Sequence, residues 1–474
     1  MTTESTRAGA TGTAGSAGAS EVTGPADAAG AAESTESAAP EKPLFRNRDF
    51  QAMWISQFFA AVAKESAEIA YPLLILATTG SATYAGAVGA VQLVVAGLMS
   101  LPGGSLTDRF DRRMTIILCD LARVVLLTLF GLLVIAGEPP MAVIFAIVVL
   151  SAACLGISNP AGLAAIKQLV PPSQFTQATA QNQIRFFGAT VIGPPIGGAF
   201  FGIARALPFL SAAVAFLISA VLLLFIKKPL QAPREAVTDS APATGDADPE
   251  GRKDGEEGKD GKDGKPGKPA KGGMLQGFRF IRRQPVILIL LIWAMASNMA
   301  FNHSGMFLAL IATAEHRDAS EAAIGTTLAV AGSGGLIGSL LAGLVLKWVK
   351  PSLIIVYAVW IGPVAAVLLM LTPGVLPLGV IVACVFVRAG VVNALIYGYI
   401  AALVPDDLQG RVLGAVGFVG MIAQPLGIFS IGVIFDLAGP TWVFFFMAVA
   451  GVLAALPTLT RTIRTLPAPH ELAS

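Results

Sequence analysis

Apolar residues come in long runs separated by short polar breaks along this chain. A helix needs roughly 20 such residues to cross about 30 Å of hydrocarbon. The pattern predicts spans at 50–77, 82–105, 114–136, 141–166, 178–203 and 207–226, then at 285–312, 323–346, 352–371, 376–402, 412–436 and 440–460. The expected architecture is an all-α integral membrane protein of twelve transmembrane helices in two six-helix bundles, 50–228 and 274–464. Residues 1–49, rich in Ala, Gly, Ser, Thr and Glu up to about Pro40, read as a disordered cytoplasmic tail without the basic start and apolar core of a signal peptide. Residues 229–273 read as a disordered charged linker and 465–474 as a second tail. Within the linker, Gly255, Gly258, Gly261, Gly264 and Gly267 fall at every third residue. That run is far too short for a collagen helix, and its position between membrane halves favours a tether.

Charge placement orients the bundle. Lys42, Arg46 and Arg48 precede the first span, and Arg109, Arg112 and Arg113 follow the second. Lys167, the linker, Lys347 with Lys350, Arg411, and Arg461 with Arg464 occupy later alternate breaks, whereas the intervening ones carry little beyond Arg205 and Arg317. By the positive-inside rule both termini are cytoplasmic, in a multi-pass protein of the cell membrane.

Composition agrees, with 54% hydrophobic and 13% charged residues and a mean hydropathy of +0.71, against about a quarter charged in soluble domains. A net charge of +2 gives no case for nucleic acid. Cys119, Cys154 and Cys384 all lie in apolar runs, so neither a disulfide framework nor a metal site is indicated. Phosphate-loop, HExxH and GxSxG patterns are missing, which argues against an enzyme and against ATP hydrolysis. Nothing calls for a cofactor, so uphill work would draw on an ion gradient.

The halves echo each other. Gly86 and Gly104 bracket the second span as Gly325 and Gly343 bracket the eighth, and Leu169-Val170-Pro171 matches Leu403-Val404-Pro405. Such repeats indicate duplicated bundles with a binding site near the midplane between them.

The break after the second span reads Gly104-Ser105-Leu106-Thr107-Asp108-Arg109-Phe110-Asp111-Arg112-Arg113. It resembles the G-x-L-x-D-R-x-G-R-R/K signature of the major facilitator superfamily, with Asp111 where the signature has glycine. Arg48-Asp49-Phe50 leading into Trp54, Tyr71-Pro72-Leu73-Leu74, Thr79-Gly80-Ser81, Leu169-Val170-Pro171 and Gly410-Arg411-Val412 look like the macrolide-efflux and enterobactin-exporter-like branch. Gly193-Pro194-Pro195-Ile196-Gly197-Gly198 is similar to the core of the signature associated with antiporters, with Ala189 in place of its leading glycine. As residues, Gly193, Pro194, Gly197 and Gly198 predict a kink and tight helix packing. In the signature loop, Gly104 would allow close helix approach. Asp108 can face a helix N-terminus, and the resemblance implies the start of the eleventh span, near Gly410 and Arg411. With Arg109, Arg112 and Arg113 these residues form the expected cytoplasmic gate.

Ionisable residues inside spans are costly and are therefore functional candidates. At about 100° per residue, Lys64, Glu65 and Glu68 share one face of the first helix. They are either a packed ion-pair patch or a proton-binding group, with Glu65, the acid less directly paired, as the carrier. The resemblance places the tenth helix across the same cavity, so Arg388 would meet a first-helix carboxylate or an anionic substrate. Asn159, Asn298, Asn302, His303, Asn393 and Tyr397 are further cavity candidates in helices that the resemblance places around the cavity; each alone is more often a helix-packing hydrogen bond, and they support an amphipathic ligand only as a set. Asp120 and Arg123 read as a structural pair, or as a link from the signature loop to the gate. Together these features predict a proton-coupled, monomeric antiporter exporting small amphipathic drug-, antibiotic- or siderophore-like molecules, in contact with lipid and protons. An importer of a polar metabolite and a non-transporting receptor or scaffold are the alternatives.

Overall fold

The structure, a computed structural model, describes residues 44–226, 228, 230, 279–404 and 406–459. The predicted linker, apart from Leu230, and the C-terminal tail lie outside these residues. A 3-10 turn at Leu44–Arg46 leads into α1 (Arg48–Thr79), so the stretch 44–49, expected as tail, carries helical structure. Asn47 explains the early start. Its side-chain oxygen caps the Phe50 N–H at 3.1 Å, and its amide donates to Leu169 O at 2.9 Å, tying the start of α1 to the end of α4.

The first half continues with α2 (Ala82–Arg109), α3 (Arg112–Ala136), α4 (Met141–Leu169), α5 (Phe175–Ile203) and α6 (Leu207–Leu224). The second half has α7a (Pro285–Phe301), α7b (His303–Glu315), α8 (Glu321–Trp348), α9 (Pro351–Leu371), α10 (Val375–Leu403), α11 (Asp406–Ala438) and α12 (Pro440–Ala455). The Thr-Gly-Ser turn joins α1 to α2. Gly80 closes α1 at φ 67, a left-handed conformation suited to glycine, and the Ser81 hydroxyl caps α2. One predicted span is broken. Asn302 is extended (ψ 155) and its carboxamide oxygen takes the Gly305 N–H at 2.7 Å, dividing the expected 285–312 helix into α7a and α7b.

Among the described residues, ten helices are long and apolar enough to cross a membrane. The 32-residue α1 is outside that set and carries Lys64, Glu65 and Glu68 in its middle. Helix α3 shows how burial works here. Leu118, Leu121, Val125, Leu129 and Leu132 are exposed along one face, as a lipid-facing stripe must be, whereas Asp120 and Arg123 are turned inward. Tyr71, Phe130 and Phe209 then lock α1, α3 and α6 together, with ring centroids 4.7–5.6 Å apart.

Helix α1 lies against α5 and α6, α2 against α4, and α3 against α4 and α6. In the second half α8 packs on α10, α9 on α12, and α11 on both parts of α7. The halves meet along α2–α11 and α5–α8. The glycine pairs of the sequence repeat have matched surroundings in these seams. A Cβ on Gly86 would stand 2.7 Å from Ile428 O, and one on Gly325 3.0 Å from Pro194 O. Gly104 and Gly343, at the opposite ends of α2 and α8, have nothing within 4 Å. Close helix approach in the signature region falls instead to Gly103, where a Cβ would lie 2.9 Å from Gly156 O and Ile157 Cα of α4. The expectation for Gly104 is therefore off by one residue.

Candidate functional site

The three charges of α1 converge as their spacing predicts. Lys64 Nζ is 3.0 Å from Glu65 Oε1 and 3.0 Å from Glu68 Oε1. The expectation that Glu65 is the less paired acid is corrected by the second half of the chain. Glu65 Oε2 lies 3.2 Å from His303 Nε2 of α7b, and its side chain is only 4% exposed. Glu68 keeps Lys64 and accepts from Gln92 Nε2 of α2 at 2.9 Å. His303 thus belongs to the charged cluster and connects the two halves at its core. Glu65, Glu68 and His303 also offer three ligand atoms within 4.8 Å of one another. The Lys64 ammonium already stands against both carboxylates, supplying the positive charge that a metal ion would bring.

The Gly-Pro segment of α5 is the floor of this cluster. Gly193 packs on the Glu65 side chain, and a Cβ at Gly197 would lie 2.7 Å from Ser66 O. Gly198 turns the other way, where a Cβ would stand 2.8 Å from Gly325 Cα on α8. Pro194 and Pro195 sit inside a helix that continues from Phe175 to Ile203, and each removes one backbone donor. The segment lets α5 touch α1 and α8 at once.

Beside the cluster is a cavity of about 410 Å³ whose wall includes His303, Asn298, Ser297 and Arg388, with Phe186, Phe187, Trp293 and Phe386 as aromatic lining. A second cavity of about 390 Å³ shares Asn298, Ile396 and Gln424 with it. Asn298 accepts from Gln424 Nε2 at 3.2 Å. Asn302 borders the first cavity but acts as the cap of α7b. Asn159 is exposed on α4 and lines neither cavity.

Arg388 pairs with neither α1 carboxylate. Its guanidinium donates to Ala358 O at 2.7 Å, Val385 O at 3.2 Å and Ser297 Oγ at 3.0 Å. It lies 5.5 Å from the ring centroids of both Trp293 and Phe301. The side chains of Asp108, Asn393, Tyr397 and Arg411 lie outside the described part of the structure.

The expected gate residues serve mainly their own half. Arg112 donates to Ala164 O of α4 and to Leu230 O, and Arg113 to Leu224 O at the end of α6 and to Ile226 O just beyond it. Arg109 is exposed. Asp111 caps α3 by accepting the Arg113 and Met114 N–H groups at 2.7 and 3.1 Å, a role glycine lacks the side chain to perform. Asp120 and Arg123, 3.8 Å apart and buried, join a polar chain inside the first half. Ser219 donates to Asp120 at 2.7 Å and meets Ser56 at 2.9 Å, while Arg123 lies over Phe216. Among the described residues, none of these contacts reaches the signature loop.

Besides Gln92 and Gln424, two charged residues with partners on other helices or turns, Arg185 and Asp436, escaped the sequence reading. Arg185 lies within the predicted fifth span, where its charge alone was a signal, and it donates to Asn182 Oδ1 and Gln57 O. Asp436, at the last residue of a predicted span, crosses to the other half. Its carboxylate accepts from Ser81 Oγ (2.6 Å), the Ala82 N–H (2.8 Å) and the Thr83 N–H (2.9 Å) at the start of α2.

The profile of the Major Facilitator Superfamily matches residues 53–428. The multidrug efflux pump Tap of Mycolicibacterium fortuitum is 25% identical over 395 residues, which cover 78% of this chain and 85% of that protein. A crystal structure of the nucleoside transporter NupG matches with a TM-score of 0.65 at 11% identity, over 87% of this chain and 99% of that one. An inward-facing bacterial homologue of the lysosomal transporter Spinster gives 0.62 at 16% identity, over 88% of this chain and 98% of that one. With a matching profile along most of its length and the fold of these transporters, the chain belongs to the Major Facilitator Superfamily.

Proposed function

We propose that this transporter is a proton-coupled exporter of small amphipathic molecules, built of twelve spans in two six-helix bundles and working by alternating access across the cell membrane. The observation that carries the reading is the Lys64–Glu65–Glu68 cluster, which sits beside a central cavity and touches the other half through His303. A buried carboxylate at a moving seam is a natural proton carrier. Neutralising Glu65 weakens its pull on both Lys64 and His303, so proton binding alters a contact that the halves share.

Direction is read from the likeness to a multidrug efflux pump and from the Gly-Pro segment of α5. The fold alone, shared with a nucleoside transporter, is compatible with either direction. The seam packed at Gly86, Gly198 and Gly325 and open at Gly104 and Gly343 supports a state facing the signature loop, the side read as cytoplasmic from the charge pattern. The test is uptake of amphipathic probes into everted membrane vesicles with the pH gradient imposed and then collapsed. Accumulation that follows the gradient is expected. Uptake from the opposite face under the same gradient would establish import, and equal flux with and without the gradient would remove the proton.

A further inference from the structure

The cavity has one charge without an opposite. Lys64, Glu65, Glu68, His303 and Gln92 satisfy one another on the α1 side. On the α10 side, Arg388 is held by two backbone carbonyls and one hydroxyl, and among the described residues no carboxylate lies within ion-pair distance of it. Neutral acceptors and two aromatic faces orient the guanidinium without cancelling its charge. The carbonyl contacts alone do not require an arginine, since a neutral donor can satisfy Ala358 O. A full positive charge in a membrane span calls for a counter-charge or a water-filled space, and Arg388 is in the wall of the 410 Å³ cavity.

We propose that the missing counter-charge travels with the substrate: Arg388 anchors an oxyanion, and Phe186, Phe187 and Phe386 take an apolar aromatic body. The substrate class is therefore amphipathic aromatic acids. The guanidinium is suited to this because its planar fork offers paired donors to a carboxylate or sulfonate, and Trp293 and Phe301 fix its plane. Ser297 and Asn298 supply further polar groups on the same wall. His303 completes the arrangement, bordering the cavity on one side and Glu65 on the other. An anion drawn to Arg388 therefore sits in the cavity next to the residue that links the halves. This inference rests on the transporter reading above, and equilibrium binding separates the two because it needs no gradient.

The test is calorimetric titration of the full chain in lipid nanodiscs, with empty nanodiscs as the blank. The probes are 1-naphthalenesulfonate, the neutral 1-naphthalenesulfonamide and the cationic 1-naphthyltrimethylammonium, which share one ring system and differ in charge. Wild-type protein is expected to bind the sulfonate at least about fivefold more tightly than the sulfonamide, with the cation weakest. Arg388→Gln should weaken sulfonate binding about tenfold, or about 1.4 kcal/mol, and leave the sulfonamide within about twofold. Arg388→Lys keeps the charge without the fork and should fall between the two for the sulfonate only. If Arg388→Gln does not fold, the wild-type charge ranking and the lysine variant still decide. No sulfonate preference in folded wild-type protein, tighter binding of the cation, or equal losses for all three probes in the variants would overturn the proposal. Gradient-driven transport of neutral probes alone would leave the exporter reading standing without it.

Discussion

The two ends of the seam between the halves use similar residues and are in opposite states. At one end, backbone meets backbone across Gly198 and Gly325 and across Gly86 and Ile428, and the Asp436 carboxylate caps the first turn of α2. At the other end, Gly104, Gly343, Gly414 and Gly417 have nothing within 4 Å, and the signature arginines bond carbonyls of their own half. Helices in lipid gain little from burying apolar surface against each other, so a seam closes where small residues permit close contact and a polar group fixes it. Helices α2 and α11 each carry an aspartate near the C-terminal end, Asp108 and Asp436, and Asp436 lies against the start of α2.

The largest expected effect comes from blocking the closed end. Gly198→Leu places a side chain where only 2.8 Å separates its Cβ from Gly325 Cα, with backbone on both sides and nothing free to move away. Transport should fall more than about tenfold, because a clash with packed backbone costs about 1–3 kcal/mol or more. Spin-label distances across α5 and α8 should lengthen. Unchanged distances would show that this contact does not close the seam.

Next in size is Glu65→Gln, which probes the link midway between the ends. Gradient-driven accumulation should be lost while equilibrium probe binding persists, since the amide mimics a permanently protonated carboxyl. Wild-type accumulation would remove Glu65 from coupling and leave Glu68 or Asp120 as the next candidate.

The two aspartates give a smaller and more pointed test. Asp436→Asn should favour opening at its own end by about two- to fivefold, as expected for a charge at a helix N-terminus worth about 0.3–1 kcal/mol. Asp108→Asn should shift the balance the other way, towards the state open at the signature loop. Crosslinking yields at the two ends measure both, and shifts of the same sign would refute opposing roles for the two aspartates.

Smallest of all is Asp111→Gly, which restores the signature residue. Glycine is a tolerable helix cap, so stability should drop by only a few tenths of a kcal/mol and transport should not change. A large loss in thermal unfolding experiments would mean that Asp111 does more than cap α3.

Much of the bundle was legible because membrane burial imposes one strong constraint, long apolar helices. Departures arose where a single polar side chain competes with the helix, as when Asn302 caps Gly305 and divides the seventh span. The site was legible to the same extent. Lys64, Glu65 and Glu68 share a face through helical spacing alone, and their convergence at 3.0 Å follows from it. Arg185 was equally visible as a charge within a span and was missed, whereas Gln92 and Gln424 gave no signal until helices distant in sequence brought them to Glu68 and Asn298.

What the sequence by itself determined was therefore local: the apolar runs, the breaks between them, the charge asymmetry, and the grouping of residues one helical turn apart. Tertiary structure decided which acid meets His303, 238 residues away, that Arg388 meets carbonyls instead of a carboxylate, and that Gly103 rather than Gly104 packs closely. Periodicity places a side chain on its own helix. It carries no information about which helix, turned by which angle, will stand opposite.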